Sequence, residues 1–262
     1  MADTSLSTMK AQVYRDPRPA EYFDRYHERV RRGRPDAVYE IVRMIMLPIT
    51  VLFFRGRCIS SDNLPDGPVI IAPNHFSFMD HFFVGTFIRR RVQFMAKSQL
   101  FHGPMQWVYR HGGVFPVRRG VRDEEAFATS DAVLDRGSAI VMYCEGGRSR
   151  TGALASKPKP GIGRLALETG APIVPVAIHG SSKVRNWKRL QFPKITVQYG
   201  EPIRFEKIED STRDQQQAVA DAVFLRIREL YAGLEEYGRS GVVKRVREQR
   251  RAARRSGRTA TA

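Results

Sequence analysis

Val69-Ile70-Ile71-Ala72-Pro73-Asn74-His75-Phe76-Ser77-Phe78-Met79-Asp80 passes from five apolar residues into a polar turn and then a carboxylate. The apolar run has the length and β-branching of a strand buried on both faces. His75 and Asp80 stand five positions apart, which on one straight helix would set them about 140° apart around the axis. The spacing works chemically if His75 lies on the turn leaving the strand and Asp80 in the first turn of the next helix. The carboxylate then folds back onto one imidazole nitrogen and leaves the other free as a base. Taken alone, the same residues also serve as a polar strand-to-helix turn without chemistry.

Working outward, three more segments repeat the pattern of a short apolar strand emptying into Gly, Arg or His. Gly112-Gly113-Val114-Phe115-Pro116-Val117 ends in Arg118-Arg119. Ser138-Ala139-Ile140-Val141-Met142-Tyr143-Cys144 runs into Glu145-Gly146-Gly147-Arg148-Ser149-Arg150, and Ala171-Pro172-Ile173-Val174-Pro175-Val176-Ala177-Ile178 into His179-Gly180. Strands are expected at 69–73, 92–96, 113–117, 139–143, 173–178 and 194–199. Helices are expected at 78–90, at 99–111 with an interruption at Gly103-Pro104, at 122–136 and at 161–170. Asp123-Glu124-Glu125 suits the start of the third helix and Gly170 the end of the fourth. Val219, Val223, Ile227, either Leu230 or Tyr231, and Leu234 recur at helical spacing and predict a further amphipathic helix. The alternation predicts an α/β fold, a mixed and largely parallel sheet covered by helices, with its chemistry at the strand ends. Arg118 and Arg148 at such ends point to a phosphorylated ligand, because a guanidinium presents a rigid fork of donors to phosphate oxygens.

At 262 residues the chain can bury a full core. Cys58 and Cys144 lie far apart in no metal-ligand spacing, which speaks against a disulfide scaffold or a zinc site and fits a reducing compartment. A metal site built from His75, Asp80 and either His81 or His111 lacks a recognisable ligand spacing. No Gly-x-Ser-x-Gly elbow is present, which argues against a serine esterase of the α/β-hydrolase type. The N-terminus does not resemble a secretory signal. The formal charge is +17, with nine basic residues against the single acid Glu248 from Arg239 onward and a second patch at Arg25, Arg29, Arg31, Arg32 and Arg34. Such clusters suit an anionic membrane or nucleic acid, or form a solvated tail that binds nothing specific. The apolar stretch within 37–54 is broken by Pro48 and Thr50 and falls short of the about 20 residues of a bilayer span. It reads as a helix lying in the membrane interface, as a short hairpin arm, or as an ordinary packing helix. The expected organisation is a basic, apolar N-terminal segment at 1–58, a catalytic domain at 59–237 and a basic tail at 238–262.

At these residues the chain resembles the glycerophospholipid acyltransferase family, and most of all the 1-acylglycerol-3-phosphate acyltransferases. The family's His-x4-Asp block matches Asn74 to Asp80, and its Gly-x-x-Phe-x-x-Arg block matches Gly112 to Arg118. Its Phe-Pro-Glu-Gly-Thr-Arg-Ser block matches Tyr143 to Ser149, and its proline-centred apolar strand matches Ile173 to Ile178. Ala96-Lys97-Ser98-Gln99-Leu100 is similar to the family's Ala-Lys-x-x-Leu element. The resemblance covers about 63–202. It implies that His75 is the general base and Asp80 its orienting partner, with Arg118 clamping the acceptor phosphate. Glu145 and Gly146 would line the acceptor site, where the amides of Gly146 and Gly147 could hold a phosphate or an oxyanion. Arg148 would be either a second phosphate contact or a brace for Glu145, and Lys97 and Lys159 are further phosphate candidates. No cofactor is implied beyond the acyl thioester, carried by coenzyme A or acyl carrier protein, and the product would be phosphatidic acid.

An acceptor with an acyl chain must be drawn from a membrane, which favours the interfacial reading of 37–54 and a peripheral or monotopic place on the cytoplasmic face. Cys144 and Gly147 replace the family's proline and threonine, and Pro116 and Val117 also depart from its pattern. Gly147, Pro116 and Val117 are where a change of acceptor would show: glycerol 3-phosphate, another lysophospholipid or a glycolipid. Cys144 also allows a covalent thioester route, although Glu145 beside it would raise its pKa. The reading from another class is a basic nucleic-acid- or membrane-binding protein that keeps the fold without turnover.

Overall fold

The computed structural model describes residues 16–149, 151–184 and 192–259, with side chains to residue 253. Arg150 and the last three residues of the basic tail lie outside this set. Helix α1 (Asp24–Arg32) and helix α2 (Ala37–Pro48) precede the first strand, β1 (Arg57–Ile59). Then come β2 (Val69–Pro73), α3 (Asp80–Thr86), β3 (Val92–Lys97), α4 (Met105–His111), β4 (Val114–Val117) and α5 (Glu124–Asp135). Strand β5 (Ala139–Val141), α6 (Gly161–Thr169), β6 (Ile173–His179), β7 (Thr196–Tyr199) and α7 (Arg213–Thr259) complete the order. The strands form one sheet in the order β1-β7-β6-β2-β5-β3-β4, parallel everywhere except between β6 and β7.

Strand β2 sits between β5 and β6, with Ile71 opposite Val141 on one side and Val174 on the other. All five of its residues are buried. Its side chains divide by the strand's two-residue period. Ile70 and Ala72 pack with α5, α6 and the first half of α7, whereas Val69 and Ile71 pack with Phe83 and Val84 of α3 and Tyr39 of α2. The continuous apolar run is thus explained by helices on both faces.

Caps follow the sequence closely. Asp123 accepts from the Ala126 amide at the start of α5, and Asp36 accepts from Val38 N at the start of α2. Each such cap is worth about 1 kcal/mol. One expected helix is shorter than predicted, and another divides at its expected interruption. The one at 78–90 becomes Asp80–Thr86, because Ser77 to Met79 stay in the turn that lets Asp80 reach back. The one at 99–111 splits into a single 3₁₀ turn and α4, broken where Gly103 adopts φ +61 just before Pro104. The three-residue edge strand β1 was not expected from sequence, being too short and too charged to show a period.

Most of the basic tail is helical. Residues 238–259 continue α7 beyond a kink at Gly238, whose φ of +61 and ψ of 175 suit glycine. Beyond the kink, Val242 packs on Ile59, Ala177 and Leu234. Arg239 donates to Thr196 Oγ1 and to the Arg55 and Ile195 carbonyls, and Arg250 pairs with Asp62. The helix therefore covers the β1 side of the sheet.

Helix α2 buries Tyr39 and turns the opposite way a face on which Ile41, Met44 and Ile45 are 54, 71 and 57% exposed. At Pro48, which has no amide hydrogen, the ladder widens into a π turn at Ile49–Phe53. That turn exposes Leu52 and Phe53 as well. No helix among the described residues is long and apolar enough to cross a membrane.

Candidate active site

The turn after β2 is tied on three sides. The Asn74 side chain, fully buried, accepts from Ile178 N at 2.7 Å and donates to Ile178 O at 3.2 Å, fastening the turn to β6. The His75 amide donates to Glu145 Oε1 at 2.9 Å, and the His75 carbonyl accepts from Ser149 N at 2.8 Å. Asp80 Oδ2 accepts from Phe76 N and Ser77 N, each at 2.7 Å, and stands 2.9 Å from His75 Nδ1. A carboxylate in that position keeps the ring proton on Nδ1 and leaves Nε2 as the basic nitrogen. Both side chains are buried, Asp80 completely.

Electrostatics keep the imidazole neutral. Burial lowers the His75 pKa, the Asp80 hydrogen bond and charge partly restore it, and Arg148 and Arg119 push it down again. The Tyr143 ring stacks on His75 at 4.0 Å between centroids, and its hydroxyl lies 2.9 Å from His81 Nδ1. Burial lowers the His81 pKa far below its ordinary value and raises the Tyr143 hydroxyl well above its own. The two rings are therefore uncharged at neutral pH. Glu145 accepts from the His75 and Ala155 amides, yet burial raises its pKa to about 7.

Comparisons with known proteins now bear on this geometry. The Acyltransferase family model matches residues 55–179. Residues 55–179 are thus similar to the acyltransferase family. A chloroplastic 1-acyl-sn-glycerol-3-phosphate acyltransferase of Brassica napus is 26% identical over 168 residues, 62% of this chain and 46% of the relative. The human 1-acyl-sn-glycerol-3-phosphate acyltransferase beta is 31% identical over 138 residues, 50% of this chain and 48% of the relative. The chain thus spans about half the length of these relatives or less. The crystal structure of PlsC, the 1-acyl-sn-glycerophosphate acyltransferase of Thermotoga maritima, superposes with a TM-score of 0.56 at 25% identity, over 73% of this chain and 79% of that one.

Within the matched region the residues singled out from sequence are not all equivalent. Lys97 at the end of β3 and Arg148 beyond β5 belong to one positive field, since Arg148 and Arg119 both act on the Lys97 ammonium and on His75. Arg119, the second arginine of its doublet, was not singled out from sequence. Arg118 donates its backbone amide to Asp123 Oδ2 at 2.5 Å and keeps a buried Nε without a partner among the described residues. Gly146 holds φ +66, where a Cβ would stand 2.8 Å from Lys159 Cγ, and its amide is taken by Tyr143 O at 3.0 Å. That amide is therefore committed to the turn rather than free for an oxyanion. Burial, then the Glu145 charge, raises the Cys144 thiol far above its ordinary pKa, so no thiolate stands ready for a covalent step. His111 pairs with Asp36 at 2.7 Å, at the start of α2 rather than beside His75.

Next to His81 an apolar groove of about 790 Å³, counted to its open mouth, runs between α2, α3 and α4. Met46, Phe78, Phe94, Met105 and Val108 line it. His81 forms part of its wall and contacts Tyr143, which in turn stacks on His75, so the groove ends one ring away from the base. Asn74 and Tyr143 carried no sequence signal beyond their position in the blocks, and His81 was considered only as a metal ligand.

Proposed function

We propose that this chain transfers a fatty acyl group from a thioester to the free hydroxyl of 1-acyl-sn-glycerol 3-phosphate, giving phosphatidic acid. The observation that carries this reading is the His75–Asp80 pair, with no hydrogen-bond partner on Nε2 among the described residues, standing between a positive field and an apolar groove. A thioester is already activated, so the chain need only deprotonate the acceptor and hold it against the carbonyl. His75 Nε2 takes the hydroxyl proton as the oxygen attacks the thioester carbon. The tetrahedral oxyanion then collapses, the carbon–sulfur bond breaks, and the departing thiolate takes the proton from the imidazolium. Asp80 supports the imidazolium while it exists and holds the ring in the required tautomer.

Arg118, Lys97 and Arg148 are assigned to the acceptor phosphate, together with Arg119, whose charge reaches the same region. The groove takes an acyl chain, since its walls are apolar side chains from α2, α3 and α4. The exposed face of α2 would lie in the membrane interface, so that the mouth of the groove opens toward lipid. Both coenzyme A and acyl carrier protein thioesters remain candidate donors.

The test is product formation by the purified chain with acyl-CoA or acyl carrier protein thioester, across a panel of lysophosphatidic acid, glycerol 3-phosphate and neutral lysophospholipids. His75→Ala should lower turnover by about 10²–10⁴-fold in a folded protein. Wild-type turnover confined to glycerol 3-phosphate or to the neutral lysophospholipids, or a fully active His75→Ala, would overturn the reading.

A further inference from the structure

On the far side of α4 from the groove lies a second concavity, lined by Arg25, Arg29, Arg32, Arg34 and Arg110 with Glu28 as the one acid among the lining side chains. We propose that this pocket binds the phosphodiester headgroup of an anionic phospholipid and thereby sets the domain on its membrane. The inference rests on the reading of α2 as an interfacial helix and deepens it.

Charge is the first support. Five guanidinium groups around one concavity repel one another, and the fork of each matches a phosphate better than water does. Within the pocket, Arg32 is paired with Glu28 only at the exposed surface, and Arg34 and Arg110 have no carboxylate partner among the described residues. Phosphate oxygens would supply those missing acceptors.

Position is the second. Arg29 donates to the Arg110 carbonyl and to Asp36 Oδ2, the cap of α2, and His111 shares that same carboxylate oxygen. The Trp107 ring lies over His111 at 4.6 Å and is 57% exposed. The floor of the pocket is thus built into the start of the helix whose Met44 and Ile45 are bare. Exposed Met105 of α4 and Met46 of α2 both line the groove between those helices. An arginine cluster beside an exposed Trp and a bare apolar face is the composition expected at headgroup depth.

The test is binding of the full chain to phosphatidylcholine vesicles with and without phosphatidylglycerol, read by co-sedimentation and needing no turnover. A chain that binds as expected yet transfers no acyl group would sink the proposed reaction and leave the pocket intact. The triple variant Arg32→Gln/Arg34→Gln/Arg110→Gln removes three charges with no buried hydrogen bond. About 1 kcal/mol per charge predicts partition on phosphatidylglycerol vesicles weaker by on the order of 100-fold. Glu28→Gln should tighten it several-fold. A charge-matched control on the outer face of α7, Lys244→Gln/Arg247→Gln/Arg251→Gln, should lose only a few-fold, and turnover on detergent-dispersed acceptor should be unchanged in both triples. Equal losses in the two triples would show general electrostatics and overturn the site. Displacement by inorganic phosphate at matched ionic strength would assign the pocket to a free anion instead. A raised KM for the acyl donor with unchanged vesicle binding would assign it to the donor, and either result overturns the proposal.

Discussion

Asp80→Asn is the perturbation that most directly separates a catalytic pair from a polar turn. Asp80 Oδ2 alone receives His75 Nδ1 and the amides of Phe76 and Ser77, at 2.9, 2.7 and 2.7 Å. An asparagine oxygen can still accept from the two amides, so the turn persists. What changes is charge. Hydrogen bonds to a charged group contribute about 1.5–3 kcal/mol and neutral ones about 0.5–1.5, so each contact weakens by about 1 kcal/mol. The fold should therefore lose on the order of 2–3 kcal/mol, spread over three contacts. The base suffers more, because the imidazolium formed during transfer loses its counter-charge in a buried place. A loss of about 3–4 kcal/mol there is about 10²–10³-fold in kcat. The pH profile carries the sharper signature. Asp80 raises the His75 pKa against burial, so removing its charge lowers that pKa further. The acid limb of kcat/KM should move to lower pH while the plateau falls. Initial rates from pH 4.5 to 8 on detergent-dispersed lysophosphatidic acid, beside thermal melts, would measure both. A folded Asp80→Asn enzyme within threefold of wild-type kcat, with its acid limb unmoved, refutes the pairing as the source of activity.

Other expectations concern the neighbours of that pair. Glu145 has its folded pKa raised to about 7 by burial, so its contribution to stability is full below the unfolded value and is lost as pH rises through 7. Relative to wild type, Glu145→Gln should gain melting temperature between pH 5 and pH 8, and a constant offset would contradict this. Asn74→Ala leaves both Ile178 groups without side-chain partners in a buried site and should cost about 2–4 kcal/mol in denaturant unfolding. Val108→Trp, which fills the groove, should shift acyl preference to shorter donors with little change in KM for the acceptor headgroup, measured by competition between chain lengths. Met44→Glu/Leu52→Glu, on the bare face of α2 and the π turn after it, should weaken binding to neutral vesicles by more than tenfold while sparing turnover in detergent micelles.

The sequence discloses those features whose cause is local. Strand β2 is legible because five apolar residues in a row suit one environment, a parallel strand between two helical layers. The His75–Asp80 pair is legible because its geometry is fixed by the chain between the two residues. The helix covering β1 was half legible. Leu230, Leu234, Val242 and Val246 lie on contacts of one small cluster, but Gly238 and the surrounding charge mask their common face.

Features that depend on distant register were not legible, and the arginine doublet shows why. Strand periodicity makes Arg118 and Arg119 interchangeable until the tether of the Arg118 amide to Asp123 is known. The charge that reaches His75 is that of Arg119. Tyr143 is a similar case. It was expected to end a strand, yet β5 stops at Val141 and Met142 N bonds Ile71 O, so Tyr143 leaves the sheet and lies over the imidazole. That placement links a motif at residues 74–80 to one some 70 residues later, and its physical effect is to exclude water from one face of the base. Dry surroundings lower the His75 pKa, so the imidazole stays unprotonated at neutral pH, while the carboxylate of Asp80 restores part of the basicity that burial removes. The balance between Tyr143 and Asp80 therefore sets the working range of the base. The Tyr143→Ala ring deletion should raise the His75 pKa and move the acid limb upward, opposite in sign to the shift expected of Asp80→Asn.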